Sequence, residues 1–198
     1  MALRIPRRIG AVIAAALASM AVLATTAAPS HAASDCAAPE RANAPTQYVA
    51  GGVDIDASVT FMCLVHDERA QQGLAPLQMY MWGAHPSHKV LADNSANHLN
   101  DLIEHGQTGA TLHTGSNGST PSQRMAAYGA GASYWRIGEV VTPVGSTPQA
   151  AFDSFMNSPG HRALLLDPEF DRFAAYGNGK APGGGPGGTY VVSLGVRR

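Results

Sequence analysis

The chain predicts an α+β fold with an antiparallel sheet. Three observations carry that expectation. Amphipathic stretches dominate residues 54–170, aromatic and β-branched segments cluster near the C-terminus, and one glycine-rich connection joins the last two of those segments. Helices first and a hairpin last are hard to arrange as a repeating parallel β-α-β chain.

Residues 1–32 come first and stand apart. Arg4, Arg7 and Arg8 precede an almost unbroken apolar run, Ile9–Ala24, and Ser30-His31-Ala32 offers small residues before Ala33. This is the pattern of a secretory signal peptide cleaved near Ala32-Ala33, and the apolar run is short for a membrane span. The mature chain would be secreted, extracellular and without a transmembrane segment. Its alanine-rich leader has a bacterial character. Cleavage leaves ten basic against fourteen acidic side chains, a net charge of −4 with no basic run. That balance excludes a counterion-release mode of nucleic-acid binding and a polybasic membrane patch.

An exported protein with two cysteines uses them as a pair. Cys36 and Cys63 are therefore expected to form a disulfide tying an N-terminal arm, residues 33–55, to the first helix. A catalytic thiol is the weaker reading, since no histidine neighbours Cys36 and Cys63 falls on an apolar helical pattern.

The arm, punctuated by Pro39 and Pro45, reads as extended. Asp54 or Asp56 caps a helix running to about Gln72, with Gly73 as its stop. Ser87 caps a second helix reaching about Glu104, on which Leu91, Ser95, Leu99 and Leu102 keep helical spacing. His66 reads as a packed or surface residue. Of His85, His88, His98 and His105, on or beside the second helix, the first two could face one another as half of a metal site, but no Cys or carboxylate at ligand spacing supports one, and a solvated helix end is the favoured reading.

His113 follows in a loop rich in Gly, Ser and Thr. Thr120-Pro121-Ser122-Gln123 announces a third helix through a capping box with proline at the first helical position; it ends at Gly129. Tyr134–Val141 reads as a strand carrying one carboxylate, Glu139, in apolar surroundings. A buried carboxylate must be paired or hydrogen-bonded, which marks Glu139 as a candidate site residue.

Thr147-Pro148 starts the next helix, in which Phe152, Phe155 and Met156 share a face. Asn157-Ser158-Pro159-Gly160 breaks it, and the break presents His161 and Arg162 at an abrupt turn. Phe173–Tyr176 and Thr189–Val196 read as strands, joined by a loop over Gly177–Gly188 too glycine-rich to pack.

Four blocks in order resemble the CAP superfamily of cysteine-rich secretory, antigen 5 and pathogenesis-related 1 proteins, in its compact bacterial branch. They are His66-Asp67-Glu68-Arg69 with Gly73-Leu74-Ala75-Pro76-Leu77, Leu112-His113 with Arg124 and Tyr128-Gly129, Gly138-Glu139, and Phe155-Met156-Asn157-Ser158-Pro159-Gly160-His161-Arg162 running to Leu166-Asp167-Pro168. The last block is the specific one. The resemblance covers residues 56–198 and implies one CAP (SCP-like) domain there, a three-layer α-β-α sandwich with a small antiparallel sheet. It also implies a cavity lined by two histidines and acidic groups, matched here by His113, His161 and Glu139.

Departures from the family pattern are His66 and Val140 where asparagine is usual, and Phe155 where tryptophan is usual. A second glutamate is missing around Asn157-Ser158. Two neutral imidazoles and a carboxylate are competent to hold zinc or another divalent cation, with His113 and His161 as ligands. The same three groups equally make a hydrogen-bonded cluster that holds the fold.

No Gly-x-Ser-x-Gly elbow, Walker loop or His-Glu-x-x-His occurs. Sequence therefore favours a non-enzymatic extracellular binding module for a small amphiphile, a lipid or sterol, or a cell-envelope component. The alternatives are a metal-dependent hydrolase using the same cavity, and an interaction protein acting through its surface.

Overall fold

The computed structural model describes residues 38–79 and 86–198. The expected signal peptide and cleavage site, Cys36 and His85 lie outside the described residues. The chain folds as α1 (Pro39–Ala42), α2 (Ile55–Gln71), β1 (Gln78–Met79), α3 (Pro86–His105), α4 (Pro121–Ala127), α5 (Ala130–Ser133), β2 (Tyr134–Thr142), α6 (Pro148–Met156), α7 (Pro159–Leu165), β3 (Arg172–Lys180) and β4 (Pro186–Arg197).

The strands form one sheet in the order β1-β3-β4-β2. β4 pairs antiparallel with both β2 and β3, but β1 pairs parallel with β3, setting Gln78 beside Arg172. The small sheet is thus mixed at one edge rather than wholly antiparallel. Two residues are too few to show a period of two in sequence, and β1 is held by its position after α2 rather than by its own pattern.

Alternation along the strands splits the core. Phe173 and Ala175 of β3, Tyr190, Val192 and Leu194 of β4, and Val140 of β2 face Phe61, Met62 and Val65 of α2, Phe155 of α6 and Leu165 of α7. Ala174, Tyr176, Val191 and Val141 face the other way, onto Leu91, Leu99 and Leu102 of α3 and Met125 of α4. Helices therefore cover both faces, as an α-β-α sandwich requires. The face under α3 is the one that carries Glu139, two residues from Val141.

Several local signals act as the sequence implies. Asp54 caps α2 by accepting from the Ala57 amide at 3.1 Å, and Gly73 beyond its end takes φ +70°. Both halves of the Thr120–Gln123 capping box form. α3 begins at Pro86, one residue ahead of the expected cap Ser87, because proline is well placed in a first turn.

Three expectations are corrected. The arm is neither loose nor wholly extended. Its Pro39–Ala42 segment is helical, Gln47 accepts from the Gly179 amide at 2.9 Å, and Asn178 Nδ2 donates to the carbonyls of Val49 at 2.8 Å and Gly52 at 2.9 Å. The Gly177–Gly188 connection does pack. β3 continues through Lys180, β4 already begins at Pro186, and a 3-10 turn over Pro182–Gly184 fills the gap. Glycine is what permits this, since a Cβ on Gly106 (φ +78°) would lie 3.3 Å from the Gly183 Cα. Finally, Ser158-Pro159 joins two helices, so His161 sits in the first turn of α7 rather than on a free turn.

Candidate functional site

Glu139 stands opposite Ser193 in the β2–β4 register, beneath α3. Its side chain is 1 % exposed, so the carboxylate must be satisfied by the chain. Four side chains converge there. Asn94 Nδ2 donates to Oε2 at 2.8 Å, and Arg124 Nη2 donates to Oε2 at 2.8 Å and Oε1 at 3.0 Å. His113 Nδ1 donates to Oε1 at 3.0 Å, and His98 Nε2 stands 3.9 Å from the same oxygen. Burial alone would raise the Glu139 carboxyl; the His113 bond, the charges of His98 and Arg124 and the Asn94 bond outweigh it and leave it below its ordinary value.

Arg124 organises the surroundings as well. Its Nε donates to Asn94 Oδ1 at 3.2 Å, and its Nη1 donates to the carbonyls of His113 at 3.1 Å and Ser119 at 2.9 Å. The guanidinium thus ties α4, α3, the His113 loop and the sheet to one carboxylate. Beneath it, Asn94 Nδ2 reaches Ser193 Oγ at 2.9 Å, and Ser95 Oγ lies 2.7 Å from Ser193 Oγ and donates to the Ala174 carbonyl at 3.1 Å.

A carboxylate only accepts, so the His113 Nδ1 carries hydrogen and Nε2 holds the lone pair of the neutral ring. The His113 side chain is 41 % exposed, above a nearly sealed Glu139. His161 packs edge-on against the Phe155 ring with centroids 5.3 Å apart. Burial, then the nearby charge of His113, push the His161 imidazole below its ordinary value. The structure thus joins His113 directly to Glu139, and sets His161 within electrostatic reach of His113.

Metal capacity is narrower than the three-residue set suggests. Among the described residues no group of three or more His, Cys, Asp or Glu is placed to hold a metal ion. Glu139 already pairs with Arg124, which suits it to orienting His113 rather than to ligating. The donor set that remains is the two imidazoles of His113 and His161.

His98 corrects its sequence reading. It is buried at 1 % exposure, with Nε2 at 2.7 Å from the Leu112 carbonyl, rather than on a solvated helix end. His105, in the last turn of α3, is exposed as expected. His66 is partly buried beside the Phe173 ring, centroids 5.5 Å apart. The signal for His98 was present: Asn94, Ser95 and His98 stand at i, i+1 and i+4, a polar stripe on the face that also carries Leu91 and Leu102. Arg124 stands out in sequence only through the resemblance block it shares with His113, and nothing local points to its partner, a strand residue 15 positions away.

Known structures share this architecture. An outer surface protein of Borrelia burgdorferi superposes with TM-score 0.59 at 20 % identity, covering 74 % of this chain and 98 % of its own. An extracellular protein containing an SCP domain from Bacillus anthracis gives 0.52 at 20 % identity, over 70 % of this chain and 39 % of its own. A cysteine-rich secretory protein of Staphylococcus aureus gives 0.50 at 15 % identity, over 71 % and 38 %. The chain thus spans well under half the length of the last two. No curated protein matches in sequence at a significant level. The sequence profile of the cysteine-rich secretory protein family, CAP, matches residues 64–193, from the middle of α2 to Ser193 beside Glu139. The chain belongs to the CAP family.

Proposed function

We propose that the chain is an exported, non-enzymatic binding module whose ligand seats over the His113 and His161 imidazoles, with Glu139 beneath them as a fixed anchor. The observation that carries this reading is the saturation of Glu139 by Asn94, Arg124 and His113. A general base needs a free lone pair and a pKa near the working pH, whereas this carboxylate is spent on hydrogen bonds and held low. Recognition uses such a preorganised group well, because the ring it orients keeps one nitrogen for a ligand.

Export is supported by the leader-like pattern of residues 1–32 and by the extracellular and outer-surface descriptions of the bacterial structures above. No helix among the described residues is long and apolar enough to cross a membrane. The ligand class proposed is a small amphiphile, a lipid or sterol, or an envelope component. Zinc, or another divalent cation, is a proposed co-ligand of His113 Nε2 and His161, with water completing its shell.

Thermal unfolding with phosphatidylglycerol vesicles, a soluble sterol sulfate and purified wall muropeptides tests the reading. Stabilisation by one class, lost in His161→Ala, is expected; no shift with any of the three would overturn it. Zinc calorimetry on wild type and His161→Ala tests the cation separately, with heat expected only from wild type.

A further inference from the structure

β1 is the least secured part of the sheet. It is two residues long, stands at the edge and pairs with β3 alone, Gln78 beside Arg172 and Met79 beside Phe173. The Gln78 amide donates to the Asp171 carbonyl at 2.8 Å. A strand this short has little hydrogen bonding of its own, so the side chains behind it decide whether it stays.

One of those side chains touches both sides of the pair. The His66 ring, reaching from α2, hydrogen-bonds the backbone of Leu77, the residue that leads into β1. The same ring packs on Phe173 of β3, with centroids 5.5 Å apart and planes at 43°. Nε2 is buried and has no hydrogen-bond partner among the described residues, so the bond to the Leu77 carbonyl comes from Nδ1–H. The neutral ring then carries only a lone pair on Nε2, toward its apolar surroundings.

Protonation changes that balance. It puts a positive charge on the packed ring and a second N–H on Nε2 with nothing to accept it. Burial holds the imidazole below its ordinary value of 6.5 against the pull of the Leu77 bond, and on α2 Arg69 adds to burial more than Asp67 takes away. Glu68, also on α2, is turned to Arg162 at 3.5 Å, and on the strand side Arg172 and Asp171 pair with each other at 2.9 Å. An opened β1 therefore takes the proton more readily than a closed one. The closed form is favoured above 6.5 and loses ground as pH falls below it.

We propose that His66 is an acid-sensitive latch: its neutral ring ties β1 to β3, and its protonation releases β1 and bares the β3 edge at Arg172–Phe173. The latch uses none of the residues of the His113–Glu139–His161 site.

Amide hydrogen exchange of the full chain by NMR, corrected for the intrinsic pH dependence of exchange, tests it. Between about pH 7.5 and about pH 5 the protection of Gln78 should fall about tenfold, the order expected for one unpaired buried donor. The fall should share its midpoint with the ring-proton titration of His66 in the same sample. Exchange at Gln78 should respond little to dilute urea, the mark of a local opening, whereas Val192 at the sheet centre responds steeply. His66→Asn, which cannot take the proton, should show no fall; the wild-type midpoints decide the matter even where that variant does not fold. Flat Gln78 protection, a midpoint that follows another group, a urea response like that of Val192, or an equal fall in His66→Asn would each overturn the proposal.

Discussion

Arg124 and Glu139 form a buried ion pair across α4 and β2, 2.8 Å from Nη2 to Oε2, with side chains 11 % and 1 % exposed. Taking two charges out of water is costly, and the pair holds because Asn94 and His113 satisfy the remaining carboxylate valence. Removing one partner leaves the other buried and uncompensated. Arg124→Met is therefore expected to destabilise the chain by about 3–5 kcal/mol in urea unfolding. The double variant Arg124→Met with Glu139→Gln should lose less than the two single losses added together. Strict additivity would mean the two groups do not interact.

Acid should unfold the protein in two stages. His98, His161 and His66 all have folded pKa values below the ordinary 6.5, chiefly through burial. The unfolded chain takes those protons first, so stability falls as pH drops below about 6.5 and stops falling below the folded values. Glu139 has a folded pKa below its ordinary 4.5; its contribution is present above that value and is lost as pH falls through the folded one. Urea midpoints from about pH 8 to about pH 3 should show both stages. Glu139→Gln should shrink the lower stage, to which Asp101 and Asp167 also contribute, and His98→Gln should shrink the upper. A midpoint that is flat between neutrality and about pH 5 would contradict the first stage.

The proposed Cys36–Cys63 bridge has a direct chemical readout. Cys63 lies on α2 at 3 % exposure. Denatured, unreduced protein from the culture medium should show no thiol by alkylation and mass spectrometry, and two after reduction. Closing a loop of this length stabilises by roughly 3–4 kcal/mol in the chain-entropy model, so reduction should lower the unfolding midpoint accordingly. Two alkylated cysteines without reductant would remove the bridge and weaken the exported reading with it.

How much of this was legible depended on how local each cause is. The Thr120–Gln123 box and the Asp54 cap act over three residues, and both are where the sequence puts them. Glu139 could be marked from sequence because a lone carboxylate in a strand has to find a partner. Which partner was not legible, since Asn94 is 45 residues away and Arg124 15. The same holds for β1, whose two residues carry no period, and for Gly106 against Gly183, a backbone contact that composition does not encode. His98 was misread because a single histidine on a helix is judged by neighbours in sequence, whereas its burial comes from the Leu112 carbonyl and the sheet below.

Arg69 gives the sharpest test of a residue whose role is set by the fold rather than by its own helix. On sequence it is one charge on the face of α2; in the fold it is 1 % exposed. Its Nε donates to the Ala75 carbonyl at 2.9 Å, and Nη1 donates to Leu165 at 2.8 Å and Asp167 at 3.1 Å. The guanidinium therefore fixes both the exit from α2 and the segment after α7, the helix that carries His161. Lysine keeps the charge but offers one compact ammonium in place of a planar fork, so it cannot span carbonyls on both sides. Arg69→Lys should cost about 2–4 kcal/mol, from one or two buried carbonyls left unpaired. It should also shift the His161 NMR titration, because α7 loses its anchor. A destabilised protein with an unchanged His161 titration would confine Arg69 to holding the fold and detach it from the site.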